Sequence, residues 1–332
     1  MIDIKLLEQL CLCNGISGDE GNVRNLIINE IKDCADDIKT DNLGNLIVFK
    51  KGKKSAKSKL MVSAHMDEVG LMVTDITSDG YLKFDEVGGI DRRVLPGKRV
   101  CVGRNGLNGV IGVKPIHLTN GDEKTAVPKM NDMYIDIGAE SREDALKYVN
   151  YGDGINFEGD FKINSKTVVT KALDDRFGCY VLINLIKSEP EYDMYFTFVV
   201  QEEVGLRGAR PAAFTVNPDF ALVIESTTAA DVAEVDASHQ VCNLSKGATV
   251  TVMDRATVYD KEMISAAFEL AEKNNISVQY KRAVAGGNDS GAIHQSRGGV
   301  RTLAVSLPSR YIHAPSTAAN LDDCESILKL AK

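Results

Sequence analysis

The chain of 332 residues is long enough for one large domain or two modest ones, and its 44% hydrophobic and 26% charged residues are the balance of a globular protein, not a disordered one. Its 39 Lys and Arg stand against 47 Asp and Glu, a formal charge of -8, so nothing in the charge favours nucleic acid or an anionic membrane as a partner. No segment approaches the roughly 18 apolar residues that a bilayer span needs.

The first residues, MIDIKLLEQLCLCNG, alternate charged with apolar side chains and read as a first helix, not as a secretory leader. Ser17-Gly18-Asp19-Glu20 has capping-box spacing and predicts a second helix over 23–31. Strands are expected at 45–50 and 59–63, joined by KKGKKSAKSK, which reads as a solvated turn. From about 70 to 162, short apolar runs broken by Gly, Asp and Asn predict many short strands, with one helix at 141–151. Strand and helix signals then alternate: helix 176–187, strand 194–200, helix 206–213, strands 220–224 and 249–253, helix Lys261–Lys273, strand 300–306 and helix 322–330. This pattern predicts an α/β fold, a sheet flanked by helices and built from 1–69 plus 163–332, with a small β domain inserted over 70–162. The seven scattered Cys, an odd number with no CxxC, fit reduced thiols in a cytosol better than a disulfide framework.

The chemistry is suggested by where acids and imidazoles fall. Apolar runs lead directly into His65-Met66-Asp67, into Glu202-Glu203, into Glu225 and, after a short loop, into His313, while Asp174-Asp175 opens a helix. In an open α/β sheet, ligands bind outside the carboxyl ends of the strands. Buried charges need partners or metals, so such acids are poorly explained as solvated surface. Imidazole and carboxylate without thiolate suit zinc, cobalt or manganese. Two ions need a bridging carboxylate, for which Asp174 is placed, with Asp175 beside it as the alternative. One His and one acid then remain for each ion, His65 with Glu225 and His313 with Glu203. Glu202 is left as general base for the attacking water, and Asp67 as the residue that orients the His65 ring. His117, His239 and His294 read as structural. The loop Gly286-Gly287-Asn288-Asp289-Ser290-Gly291 reads as a cleft lining, with Asn288 and Asp289 available to substrate. Arg207, Arg282 and Arg310 are candidates for a basic pocket. No G-x-S-x-G, G-x-x-x-x-G-K-[ST], G-x-G-x-x-G or H-E-x-x-H motif is present.

His65-Met66-Asp67-Glu68-Val69-Gly70, Lys171-Ala172-Leu173-Asp174-Asp175-Arg176, Gln201-Glu202-Glu203-Val204-Gly205-Leu206-Arg207-Gly208-Ala209, Gly286-Gly287-Asn288-Asp289-Ser290-Gly291-Ala292 and Arg310-Tyr311-Ile312-His313-Ala314-Pro315 together resemble the tetrahedral aminopeptidases. That group includes glutamyl and deblocking enzymes and members labelled cellulase M or endoglucanase. The resemblance covers nearly the whole chain, and QEEVGLRGA is its most specific stretch. It implies a zinc-peptidase-like catalytic domain with a mixed sheet and an inserted β-barrel-like dimerisation domain, whose dimers assemble into a hollow dodecamer. It also implies two divalent ions per subunit, zinc or cobalt. By the same resemblance His65, Asp174 and Glu225 hold one ion and Asp174, Glu203 and His313 the other, with Glu202 as general base and Asp67 orienting His65. The expected activity is hydrolysis of the N-terminal residue from peptides with a free α-amine. The rivals are a metal-dependent amidohydrolase acting on N-acyl amino acids and an endoglucanase. The latter leaves both imidazoles unexplained in a chain with no Trp and only 6% aromatics.

Overall fold

The computed structural model describes residues 1–332. The N-terminal part supplies α1 (Ile4–Leu12), α2 (Gly21–Ile31), β1 (Asp37–Thr40), β2 (Leu46–Lys50) and β3 (Leu60–His65). Next come β4 (Gly70–Ile76), β5 (Leu82–Val87), β6 (Arg99–Val102), β7 (Leu107–Gly112), β8 (Tyr134–Asp136), α3 (Arg142–Ala145) and β9 (Gly154–Phe157). The chain returns as β10 (Lys162–Asn164), β11 (Thr167–Thr170), α4 (Leu173–Lys187), β12 (Met194–Val199), α5 (Ala209–Val216), β13 (Phe220–Thr228) and β14 (Ala248–Val250). It closes with α6 (Lys261–Lys273), β15 (Val278–Tyr280), α7 (Ser290–Ile293), β16 (Arg301–Arg310), β17 (Thr317–Asn320) and α8 (Leu321–Ala331).

A mixed sheet of 11 strands runs β1-β2-β12-β3-β13-β16-β17-β11-β10, with β14 and β15 branching from β16. Its centre, β12, β3, β13 and β16, is parallel, so the carboxyl ends of these strands share one rim. Helix α4 is apolar on nearly every side because it is covered all round: the sheet lies against it at β3 and β13, and α1, α2 and α8 surround it. A second layer, α5 with α7, packs against β12, β13 and β16. The six strands β4 to β9 close into an antiparallel barrel in the order β4-β5-β8-β7-β6-β9. The barrel has a hydrophobic core of its own, 17 buried residues around Leu71, Phe84, Val100 and Ile135, separate from the 49-residue core of the sheet. It leaves the sheet at the end of β3, which sets one of its edges beside the rim. No helix is long and apolar enough to cross a membrane.

Several local expectations are corrected. The helix foreseen at 141–151 is only the four residues Arg142–Ala145, because the chain must turn at Asn150–Asp153 to enter β9. The helix foreseen at 206–213 begins at Ala209, since Gly205 and Leu206 adopt positive φ of 116° and 57°. Ser17 does not cap α2, whose N-cap, Glu20, makes no side-chain cap bond; the Ser17 hydroxyl is drawn instead to Asp67. Strand β13 continues four residues past its expected end, so Glu225 lies within a strand and not after one.

Candidate metal centre

The rim collects side chains from five segments of the sheet domain. His65 is the last residue of β3, Glu202 and Glu203 follow β12, Asp174 opens α4, Glu225 sits in β13, and His313 follows β16. His65 Nε2 lies 3.4 Å from both Asp174 Oδ1 and Glu225 Oε1. His313 Nε2 lies 3.5 Å from Asp174 Oδ2 and 3.2 Å from Glu203 Oε2. One oxygen of Asp174 therefore faces each imidazole, and two groups of ligand-type atoms share it, His65–Asp174–Glu225 and Asp174–Glu203–His313, with a third group, His65–Glu202–Glu203, beside them. Glu202 Oε2 stands 4.0 Å from His65 Nε2. Asp175 points elsewhere: its Oδ1 accepts from Gly178 N at 2.9 Å and its Oδ2 from His65 N at 3.3 Å. Its role here is to cap the regular part of α4 and tie that helix to β3.

Asp67 does more than its place two residues after His65 suggests. It lies 3.5 Å from His65 Nδ1, while the same nitrogen is 3.0 Å from the Asp67 carbonyl. Its carboxylate also accepts from Ser17 Oγ at 2.6 Å, Glu202 N at 3.0 Å and Glu203 N at 3.1 Å. One buried acid thus orients an imidazole and the backbone that carries two glutamates. No sequence signal marks the Ser17 bond or those backbone bonds, because the partners are 50 to 136 positions apart.

Beneath this layer, Glu68 receives Lys171 Nζ at 2.8 and 3.0 Å, and Arg176 Nη2 at 3.2 Å. Arg176, fully buried, also donates to the carbonyls of Leu10, Cys13, Gly15 and Met66, fastening α1 and the loop after β3 to α4. Four non-glycine residues at the exits toward the rim have left-handed backbones: Ala172, Gln201, Tyr311 and His313, with φ of 53–61°. Such conformations cost on the order of 1–3 kcal/mol each and tend to gather at functional sites.

The electrostatics call for cations. Burial pushes Glu203 up to about 8, reinforced by Asp174, and burial likewise takes Glu225 to about 8. Glu202 is raised well above the carboxylate range by burial and then by the fields of Glu225 and Asp289. Burial opposes charge on His313, yet Asp174 and Glu203 raise it to about 9. Burial also opposes ionisation of Asp174, but the two imidazoles hold it low. Asp174 Oδ1 and Glu225 Oε2 are buried with no hydrogen-bond donor. A cluster of close carboxylates with orphaned oxygens, two imidazoles and no thiolate fits a pair of divalent ions.

The cluster opens into a cavity of about 970 Å³ walled by Asp174, Glu202, Glu225 and His313 on one side and by barrel residues, including Ile90 and Arg93, on the other. Asn288 lines it, but its amide is occupied by Tyr259 Oη and Ser290 N, and Asp289 is sealed behind the lining. The basic pocket foreseen from Arg207, Arg282 and Arg310 does not form, for none of the three lines the cavity. Arg310 is locked to Asp231, Arg282 donates to Asn243, and Arg207 lies in a separate surface depression. The expected structural histidines stay apart from the cluster, His294 with its Nδ1 2.7 Å from the Ser290 carbonyl and His117 and His239 exposed.

Comparison with known proteins bears on the family and the fold. The profile of the M42 glutamyl aminopeptidase family matches residues 44–330. The chain is 43% identical, over 98% of its own length and 96% of the other, to a protein of Acetivibrio thermocellus named as an aminopeptidase. Its fold superposes with a TM-score of 0.94 on a TET aminopeptidase from a marine sediment archaeon, Thaumarchaeota archaeon SCGC AB-539-E09, at 33% identity and 99% and 94% coverage of the two chains. The TET1 peptidase of Pyrococcus horikoshii, which assembles into a tetrahedron or a large octahedral shell, is 39% identical with a TM-score of 0.87, covering 99% of this chain and 97% of that one.

Proposed function

This chain belongs to the M42 glutamyl aminopeptidase family, and from that premise we propose that it releases the N-terminal residue of peptides at a centre of two divalent cations. The observation that carries the reading is Asp174, which turns one oxygen to each of two imidazoles that reach the rim from opposite ends of the sequence. His65, Asp174 and Glu225 would hold one cation and Asp174, Glu203 and His313 the other, with zinc or cobalt suited to such ligands. A cation pair bound there supplies Lewis acidity toward the scissile carbonyl and makes water a competent nucleophile near neutral pH.

Glu202 takes a proton from the attacking water and returns it to the departing amine as the C–N bond breaks. Its position suits that exchange, with Oε2 4.0 Å from His65 Nε2 at the edge of the cavity and outside the two groups that share Asp174. Asp67 keeps His65 in one ring orientation and fixes the backbone of Glu202 and Glu203. The glycosidase alternative gives the imidazoles no role and finds a single aromatic, Tyr311, in the cavity lining. The seven cysteines are all free, in keeping with a reducing cytosol.

Elemental analysis together with release of p-nitroaniline from aminoacyl and N-acetyl-aminoacyl derivatives tests the reading. Two ions per chain and turnover of free-amine substrates, abolished by chelation and restored by zinc or cobalt, are expected. Full activity after metal removal would sink the two-cation centre, and faster turnover of the acetylated derivatives would move the chain to the amidohydrolases.

The protein is further proposed to act as a homo-oligomer built on barrel-mediated dimers that close into a dodecamer. The barrel carries exposed apolar side chains, Ile116, Leu118 and Val127, on one long loop, a surface that association would cover. Multi-angle light scattering should return a mass near twelve chains, and a stable monomer would refute it.

A further inference from the structure

Two buried cations stand behind the metal centre, one on each side of the shared acid in the sequence: Lys171 precedes Asp174 and Arg176 follows it. Lys171 is 2% exposed and Arg176 0%. Glu68 is the one carboxylate within ion-pair reach of either, 2.8 Å from Lys171 Nζ and 3.2 Å from Arg176 Nη2. Arg176 is otherwise held by backbone carbonyls, whereas Lys171 has only one further acceptor, Asn14 Oδ1 at 3.0 Å. A narrow crevice fixes where this cluster lies. Glu68 and Lys171 line it together with Asp174, Glu203 and His313, all three members of one cation group. Of the other group, His65–Asp174–Glu225, only the shared Asp174 reaches it.

A positive charge in a low-dielectric interior repels a cation far more strongly than it does in water, and removing one partner of a buried pair leaves the other uncompensated. Glu68 sets one negative charge against the two positive ones, so the cluster keeps a single surplus positive charge; without Glu68 it would carry two. We infer that Glu68 is a positioning residue for the metal centre, cancelling the charge of Lys171 and thereby admitting the cation held by Asp174, Glu203 and His313. Asp67 orients ligands through hydrogen bonds, whereas Glu68 bonds to Lys171, Arg176 and Gly15 N and to none of the five ligands. It acts through Lys171 on the field at one cation position. This rests on the two-cation reading above.

The test titrates zinc into the chelator-stripped full-length protein by calorimetry and reads the two binding steps separately, for wild type, Glu68→Gln, Lys171→Met and the double variant. Glu68→Gln should weaken one step by on the order of 10- to 100-fold and leave the other within about threefold. Lys171→Met alone should bind both ions at least as tightly as wild type. The double variant returns to a single surplus charge, so its affected step should recover to within about threefold of wild type although the ion pair is gone. A merely structural role predicts the opposite order, with the double variant the poorest binder and the lowest in Tm. Equal weakening of both steps in Glu68→Gln, weaker binding by Lys171→Met, or no recovery in the double variant overturns the inference while leaving the two cations in place. If Glu68→Gln does not fold, Lys171→Met and the double variant carry the comparison. A wild type that binds fewer than two zinc ions overturns the two-cation reading and this inference with it.

Discussion

Glu202→Gln should lower kcat by roughly 10²- to 10⁴-fold while the protein keeps both cations. Glu202 Oε2 is 4.0 Å from His65 Nε2, near enough to serve the centre, yet Glu202 belongs to neither of the two groups that share Asp174. The amide is isosteric and cannot take a proton, so the packing and the ligand shell persist while the proton transfer is lost. Its backbone N–H continues to donate to Asp67, which keeps Glu203 in place. Metal content by elemental analysis and initial rates on an aminoacyl p-nitroanilide give the two readouts. An undiminished rate removes Glu202 from the mechanism, and loss of one ion would make it a ligand instead of a base.

The second large effect concerns stability. Stripped of cations, the protein should lose thermal stability as pH rises from about 4.5 to about 8, whereas the loaded protein should not. A carboxyl with a raised folded-state pKa contributes its stabilisation in full below its ordinary range and loses it as pH climbs through the folded value. Burial puts that upper limit at about 8 for Glu203 and Glu225 and at about 7 for Asp289. His313, raised to about 9 by Asp174 and Glu203 against the pull of burial, loses its contribution in the same direction, above its ordinary range near 6.5. The low proton affinity of Asp174 and Asp67 acts in acid, where their contributions fade as pH falls, and leaves the neutral window untouched. A tenfold difference in proton affinity between the folded and unfolded chain corresponds to about 1.4 kcal/mol, so several groups moving together exceed the effect of most single substitutions. Cations bind the deprotonated ligands more tightly as pH rises, so the gap in Tm between loaded and chelated protein should widen from pH 5 to pH 8. Parallel Tm curves would mean that these acids do not share a cation site.

Where the chain is read by local pattern, sequence and structure coincide closely. The helix expected over Lys261–Lys273 forms with those limits, because its apolar face repeats at helical spacing and Asp260 caps it by accepting from Glu262 N and Met263 N. The apolar runs before His65 and before Glu202 become β3 and β12, neighbours in the parallel centre of the sheet. The short strands β1, β10 and β17 are not legible in the sequence, since their hydrogen bonds come from partners distant along the chain or from a brief hairpin, and their own side chains have no marked alternation.

The amino-acid order by itself determined the α/β class and marked out the acids and imidazoles that follow apolar runs, because hydrophobic periodicity and residue chemistry are local properties. It could not decide that Asp174 and not Asp175 faces both imidazoles. Two adjacent carboxylates are equivalent on paper and differ only through backbone angles, -83° and 107° at Asp174 against -119° and 42° at Asp175. Nor could it take Ser17 from its expected capping box to Asp67, or pair Arg310 with Asp231 and so withdraw it from the expected basic pocket. Those outcomes depend on which charges find partners across the fold, and pairing over such separations is set by how the sheet, the helices and the barrel pack together.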